Sequence, residues 1–139
     1  MRVVTSSRPT HVGGPEWFTG YVYWDDIDAF PPGSGMEMVN VHFAPGSRST
    51  WHSHPNGQVI HVTEGVGLCQ REGGPVVEIR PGESVFFEPG ENHWHGAAPD
   101  RIMVHLAFRT ADEDGRMYTL GPHVTDEEYL APAVRPDEV

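Results

Sequence analysis

The segment WHSHPNGQ sets His52 and His54 two positions apart and follows them, after Pro55-Asn56-Gly57, with Gln58. Alternate residues of an extended strand point the same way, so the two imidazoles are expected to face together. A reversal at the turn would place Gln58 on the adjacent strand, at cross-strand distance from the pair. A second pair, His93 and His95, follows the turn signal PGEN. Clustered imidazoles repel one another when protonated and need partners when buried. Three of them converging with one amide oxygen make a metal site, with His52, His54, Gln58 and His93 as its ligands. Mixed nitrogen and oxygen ligation suits manganese, iron, cobalt or nickel better than a closed structural zinc, and residue types alone leave the choice open. His95 shares the strand face of His93 and is a candidate proton carrier, a rim histidine bonded to backbone being the plainer reading. Single histidines on strands are ordinarily packed or surface residues, and His11, His61 and His123 are read so.

The stretch RIMVHLAFRT alternates cleanly. Met103, His105, Ala107 and Arg109 lie on one face, Ile102, Val104, Leu106 and Phe108 on the other. A histidine and an arginine on an otherwise apolar face suggest a pocket wall. A guanidinium there favours an anionic substrate. Val39, Val41 and Phe43 share a face of MEMVNVHFA and are expected, with Met103, to line the apolar part of the cavity, which in a barrel is also its core.

These groups need short strands to hold them. The chain has 139 residues, 16 of them Gly and 13 Pro. One domain spanning 1–139 is expected, its core at about 16–120. Strands are expected at 17–24, 36–44 and 49–54, then in QVIHVTEG, GLCQRE, VVEIR, SVFFE, HWHGAA and RIMVHLAFRT, with DDIDAFPPGSG as a loop. About ten strands are ordinary for a closed or double-sheet all-β domain. Thr125 followed by Glu128 fits a capping box, so a short helix is expected near 126–130 in a C-terminal tail of 123–139.

Composition excludes several functions. All 9 basic residues are arginines, against 20 acidic ones, for a net charge of -11. Such a field repels nucleic acid and anionic membranes. Without lysine there is no Schiff-base lysine, which removes one class of covalent catalysis. Cys69 is the one cysteine, so no internal disulfide forms, and it reads as a packed residue. The opening MRVVTSSRPTHVGG has no apolar leader core, and no apolar run approaches a membrane span, so a cytoplasmic protein is expected.

Two stretches, GSRSTWHSHPNGQVIHVTEG (46–65) and GESVFFEPGENHWH (82–95), resemble the two cupin motifs in the spacing of Gly46, His52, His54, position 58, Gly65, Gly82, Pro89, Gly90 and His93. That resemblance implies a double-stranded β-helix, the jelly-roll barrel, with a metal inside. The sequence departs from the pattern at Gln58, where the motif carries Glu, and after His93, where small residues stand in place of Asn. EWFTG, FAPGSR, CQREGGPVVEI, PGENHWHGAAP and HVTDEEY further resemble the manganese-dependent bacterial hydroxynitrile lyases. By position that resemblance implies manganese on His52, His54, Gln58 and His93, His105 as a pocket base, and a homodimer. Arg109 stands where those enzymes carry an uncharged polar residue.

The expected activity is a metal-dependent lyase of hydroxynitrile-lyase type acting on a small molecule. A metal-dependent dioxygenase, a non-catalytic small-molecule-binding cupin, and an isomerase or decarboxylase with an anionic substrate are the competing expectations. The uncharged Gln58 favours the lyase, because it leaves the charge of a divalent ion uncancelled and so strengthens its Lewis acidity.

Overall fold

A computed structural model describes residues 1–4 and 8–138. Short strands dominate it: β1 (His11–Val12), β2 (Phe18–Thr19), β3 (Val22–Asp26), β4 (Met36–Phe43), β5 (Arg48–Ser49), β6 (His52–Ser53) and β7 (Gln58–Gly65) in the first half. They continue with β8 (Gly67–Arg71), β9 (Val76–Ile79), β10 (Ser84–Phe87), β11 (His93–Ala97), β12 (Met103–Thr110), β13 (Thr119–Leu120) and β14 (Ala133–Val134). One sheet runs β1-β3-β4-β12-β7-β10 and the other β13-β6-β11-β8-β9-β14, with β5 and β2 attached at β11. This is the expected all-β jelly-roll barrel.

The two sheets close on a shared core. Val39, Val41 and Phe43 of β4, Ile60 and Val62 of β7, Cys69 of β8 and Met103 of β12 pack in one buried cluster. A second cluster covers the outer face of the second sheet, where Trp94, Leu68 and Val76 meet Val124 and Tyr129. Period-two alternation produces both: on β11, Trp94 points out to that cluster while His93, His95 and Ala97 alternate with it. The outer cluster is closed by the short helix α1 (Asp126–Tyr129), whose N-terminus carries the capping box of Thr125 and Glu128. Tyr129 Oη donates to the Ala97 carbonyl at 2.5 Å, and the Arg48 guanidinium lies 4.5 Å over its ring, tying the helix to the barrel.

Three strand expectations are corrected. The stretch 17–24 divides into β2 and β3, because Gly20 adopts φ 84° and the Tyr21 amide donates to Ser47 Oγ at 2.8 Å. β3 also continues through Asp25 and Asp26, expected in the loop, since Asp26 pairs with Val39 of β4. The expected strand through Trp51 is interrupted: Arg48 pairs with Gly96 and His52 with His93, leaving three residues on one strand against two on the other. That extra residue is a bulge, a device that turns side chains beside a site.

Candidate metal centre

The turn after His54 does not form a hairpin. β6 lies in the second sheet, paired with β11 and β13, while β7 lies in the first, between β12 and β10. Pro55–Gly57 therefore carries the chain across the barrel. The expectation of Gln58 as a cross-strand neighbour of the histidines is corrected: it faces them from the opposite wall. Gly57 makes the crossing possible, with φ 77° and its amide donating to the His54 carbonyl at 3.2 Å. A side chain there would also strike the Phe87 carbonyl oxygen, 2.5 Å from the Cβ position.

The histidines are set by backbone carbonyls. Nδ1 of His52 lies 2.8 Å from the Thr50 oxygen, Nδ1 of His54 2.6 Å from the Met117 oxygen, and Nδ1 of His93 2.8 Å from the Glu91 oxygen. A carbonyl accepts only, so each Nδ1 carries the proton and each Nε2 keeps a lone pair. Such carbonyl contacts orient metal-ligating imidazoles. Nε2 of His54 is buried without a partner, and Nε2 of His93 meets Gln58 Oε1 at 3.2 Å. An amide oxygen turned towards an imidazole lone pair is the arrangement two donors take around a shared cation. The ring centroids of His52 and His93 are 4.4 Å apart, those of His52 and His54 5.0 Å, and Phe87 stacks on His93 at 3.6 Å.

Burial keeps these rings neutral, the state a ligand requires. It draws His54 and His93 down to about 4 and holds His52 well below the ordinary histidine value, with repulsion from His93 adding to the effect on His52. The donor set thus fits a divalent ion held by His52, His54, His93 and Gln58. The donor atoms that lie within 4.8 Å of one another are those of His52, His93 and His95, so the tight trio contains His95 and not the expected His54, and His95 flanks the same centre.

His95 Nδ1 lies 3.2 Å from His105 Nε2, while His95 Nε2 and His105 Nδ1 are buried without partners. Burial lowers both, His105 to about 4 and His95 well below the ordinary histidine value, with repulsion from His105 adding to the effect on His95. Phe43 packs against both rings, at 5.8 Å and 5.4 Å.

A cavity of about 370 Å³ opens onto His52, Gln58, His95 and His105. Val39, Val41, Phe43 and Ala107 line its apolar wall. His54 and His93 do not line it, and neither does Met103, which is fully buried in the barrel core. The pocket placement of Met103 is corrected accordingly: the register shift between Val104 and His105 separates Met103 from the strand stretch that faces the cavity. Arg109 reaches the cavity paired with Glu37, so its guanidinium is not free. Sequence reasoning missed Trp17, Phe18, Trp24 and Tyr118, which supply aromatic walls. It also missed Glu37 and the pair His11 and Asp26, whose Nε2 and Oδ2 lie 2.8 Å apart at the cavity. His11, read as an ordinary packed or surface residue, stacks on Trp24 at 5.1 Å. The aromatic richness of 17–24 was the available signal. His61 and His123 lie away from the cavity, bonded to Ser84 Oγ and the Pro15 carbonyl.

Comparison with known proteins agrees with this fold. The family model for the cupin domain matches residues 39–108. A protein of Granulicella tundricola described as "(R)-mandelonitrile lyase" is 47% identical over 123 residues, covering 88% of this chain and 93% of that protein. A cupin-like protein of Thermotoga maritima superposes with TM-score 0.79 at 36% identity, over 85% of this chain and 89% of the other. A polyketide cyclase from Streptomyces resistomycificus, 19% identical with TM-score 0.61 over 78% of this chain and 75% of that one, shares the fold.

Proposed function

The chain belongs to the cupin family, and from that premise we propose that it is a metal-dependent lyase that cleaves an aromatic cyanohydrin to an aldehyde and hydrogen cyanide, or joins them in reverse. One observation carries the reading: imidazoles with Nδ1 locked on carbonyls gather with Gln58 beside a cavity that also holds the paired bases His95 and His105. The similarity to the Granulicella protein, described as a mandelonitrile lyase, supports it.

His52, His54, His93 and Gln58 would hold a divalent ion, manganese by the family resemblance. When bound, it supplies Lewis acidity that lowers the pKa of a substrate hydroxyl. Gln58 is an uncharged donor, so the ion's charge is not offset by the protein as a carboxylate would offset it.

His105 is neutral and lines the cavity, so it accepts the hydroxyl proton as general base. The carbonyl forms as the bond to the nitrile carbon breaks, and its electron pair leaves on cyanide. The imidazolium then returns the proton to cyanide. His95, 3.2 Å from His105, can share that proton during the cycle. Val39, Val41 and Phe43 exclude water from the reacting carbon, and the aromatic side chains of Trp17, Phe18 and Trp24 accept an aryl group.

The test is direct. Protein loaded with manganese is incubated with mandelonitrile, and benzaldehyde release is followed. Turnover above free manganese and its loss in His105→Ala support the reading; a rate equal to free metal removes it.

A further inference from the structure

Glu37 of β4 and Arg109 of β12 stand opposite each other in register, and Arg109 is also the register partner of Gln58 on β7. Arg109 donates through Nε at 3.1 Å and Nη2 at 2.5 Å to the same oxygen, Glu37 Oε1. Its guanidinium lies 5.8 Å from the Tyr118 ring centroid, and all three side chains line the cavity beside the metal centre. Among the described residues neither Arg109 Nη1 nor Glu37 Oε2 has a hydrogen-bond partner. The side chains are 22% and 34% exposed.

This arrangement changes what Arg109 selects. A lone guanidinium in a pocket recruits a carboxylate. Here one carboxylate is already supplied by the protein. A second, arriving with the substrate, would compete for the same donors and be repelled by Glu37, in a chain of net charge -11. What remains is polar valence without net charge: one donor edge at Nη1 and one acceptor at Oε2. Resting on the lyase reading above, we propose that the Glu37–Arg109 pair is a specificity determinant, which selects uncharged aromatic substrates bearing a hydrogen-bonding substituent and discriminates against carboxylates.

The test compares three aldehydes of nearly equal shape: benzaldehyde, formylbenzamide and formylbenzoate, the last two as 3- and 4-isomers. Binding to the manganese-loaded protein is measured by calorimetry, which does not require turnover. The wild type is expected to bind at least one formylbenzamide about fivefold more tightly than the matching formylbenzoate, the upper end for one partly exposed charge interaction. Glu37→Gln leaves Arg109 unopposed and is expected to shift that ratio about fivefold towards the carboxylate. Arg109→Gln leaves Glu37 unopposed and shifts it the other way. The two variants move the ratio in opposite directions, so either one, if folded, is informative. A wild-type preference for formylbenzoate, a ratio unmoved by either substitution, or no binding of any aldehyde overturns the assignment. Absent mandelonitrile turnover with the ratios as expected would remove the lyase reading and leave this specificity standing.

Discussion

His54 Nδ1 lies 2.6 Å from the carbonyl oxygen of Met117, a residue 63 positions further along the chain. The contact orients His54 so that its Nε2 stays unpartnered inside the barrel. The segment after β12 therefore helps to position the candidate metal centre.

Removing that imidazole should empty the centre. His54→Ala and His52→Ala are each expected to lower manganese affinity by at least 10- to 100-fold, the range that loss of even a supporting contact produces. Metal content after dialysis checks this. His95→Ala should retain most of the metal, because His95 flanks the four-donor set; loss equal to His54→Ala would instead place His95 among the ligands.

Gln58→Glu should raise affinity for a divalent ion while lowering lyase turnover. The added carboxylate offsets one unit of the ion's charge and weakens its Lewis acidity. Titration with manganese, followed by the rate at saturation, separates the two effects. Equal or faster turnover in the variant would contradict the role given to the neutral amide.

Acid should destabilise the metal-free protein. His54, His93 and His105 titrate at about 4 when folded, below the ordinary value of 6.5. Between those limits the unfolded chain binds protons that the folded one refuses, so stability falls as pH falls. It is fully present above 6.5 and is lost progressively down to about 4. Each such histidine contributes a slope of up to about 1.4 kcal/mol per pH unit. Urea midpoints between pH 7 and pH 4 test the sign; a flat profile would contradict buried neutral imidazoles.

The outer cluster should matter as much as the inner one. Trp94 is fully buried and its Nε1 donates to Gln70 Oε1 at 2.8 Å. Trp94→Ala is expected to cost about 3–5 kcal/mol, through lost burial and the cavity left behind. Thr125→Ala removes the cap of α1 and should cost only about 1 kcal/mol. Denaturant unfolding of the two variants measures the difference.

Most strands were legible, because they are short, alternate in polarity and end at Gly or Pro. The misreadings fell where a local pattern met a distant partner. Gly20 divides β2 from β3 because Ser47 occupies the space beside it. Trp51 looked like a strand residue, yet its backbone amide donates to the Pro122 carbonyl at 2.9 Å, outside any ladder. No reading of 49–54 alone reveals that bond.

The sequence by itself picked out the candidate donors, since His-x-His on an extended chain places two imidazoles on one side by the geometry of the strand. It determined the turns and the cap of α1 in the same local way. The tertiary structure alone decided that Gln58 approaches from the opposing sheet, that Met117 and Thr50 carbonyls set the imidazoles, and that Glu37 neutralises Arg109. Those facts depend on which strands become neighbours. That choice is made by burial of two sheets against one another, which acts between residues far apart in the chain and leaves no mark on the spacing within any one segment.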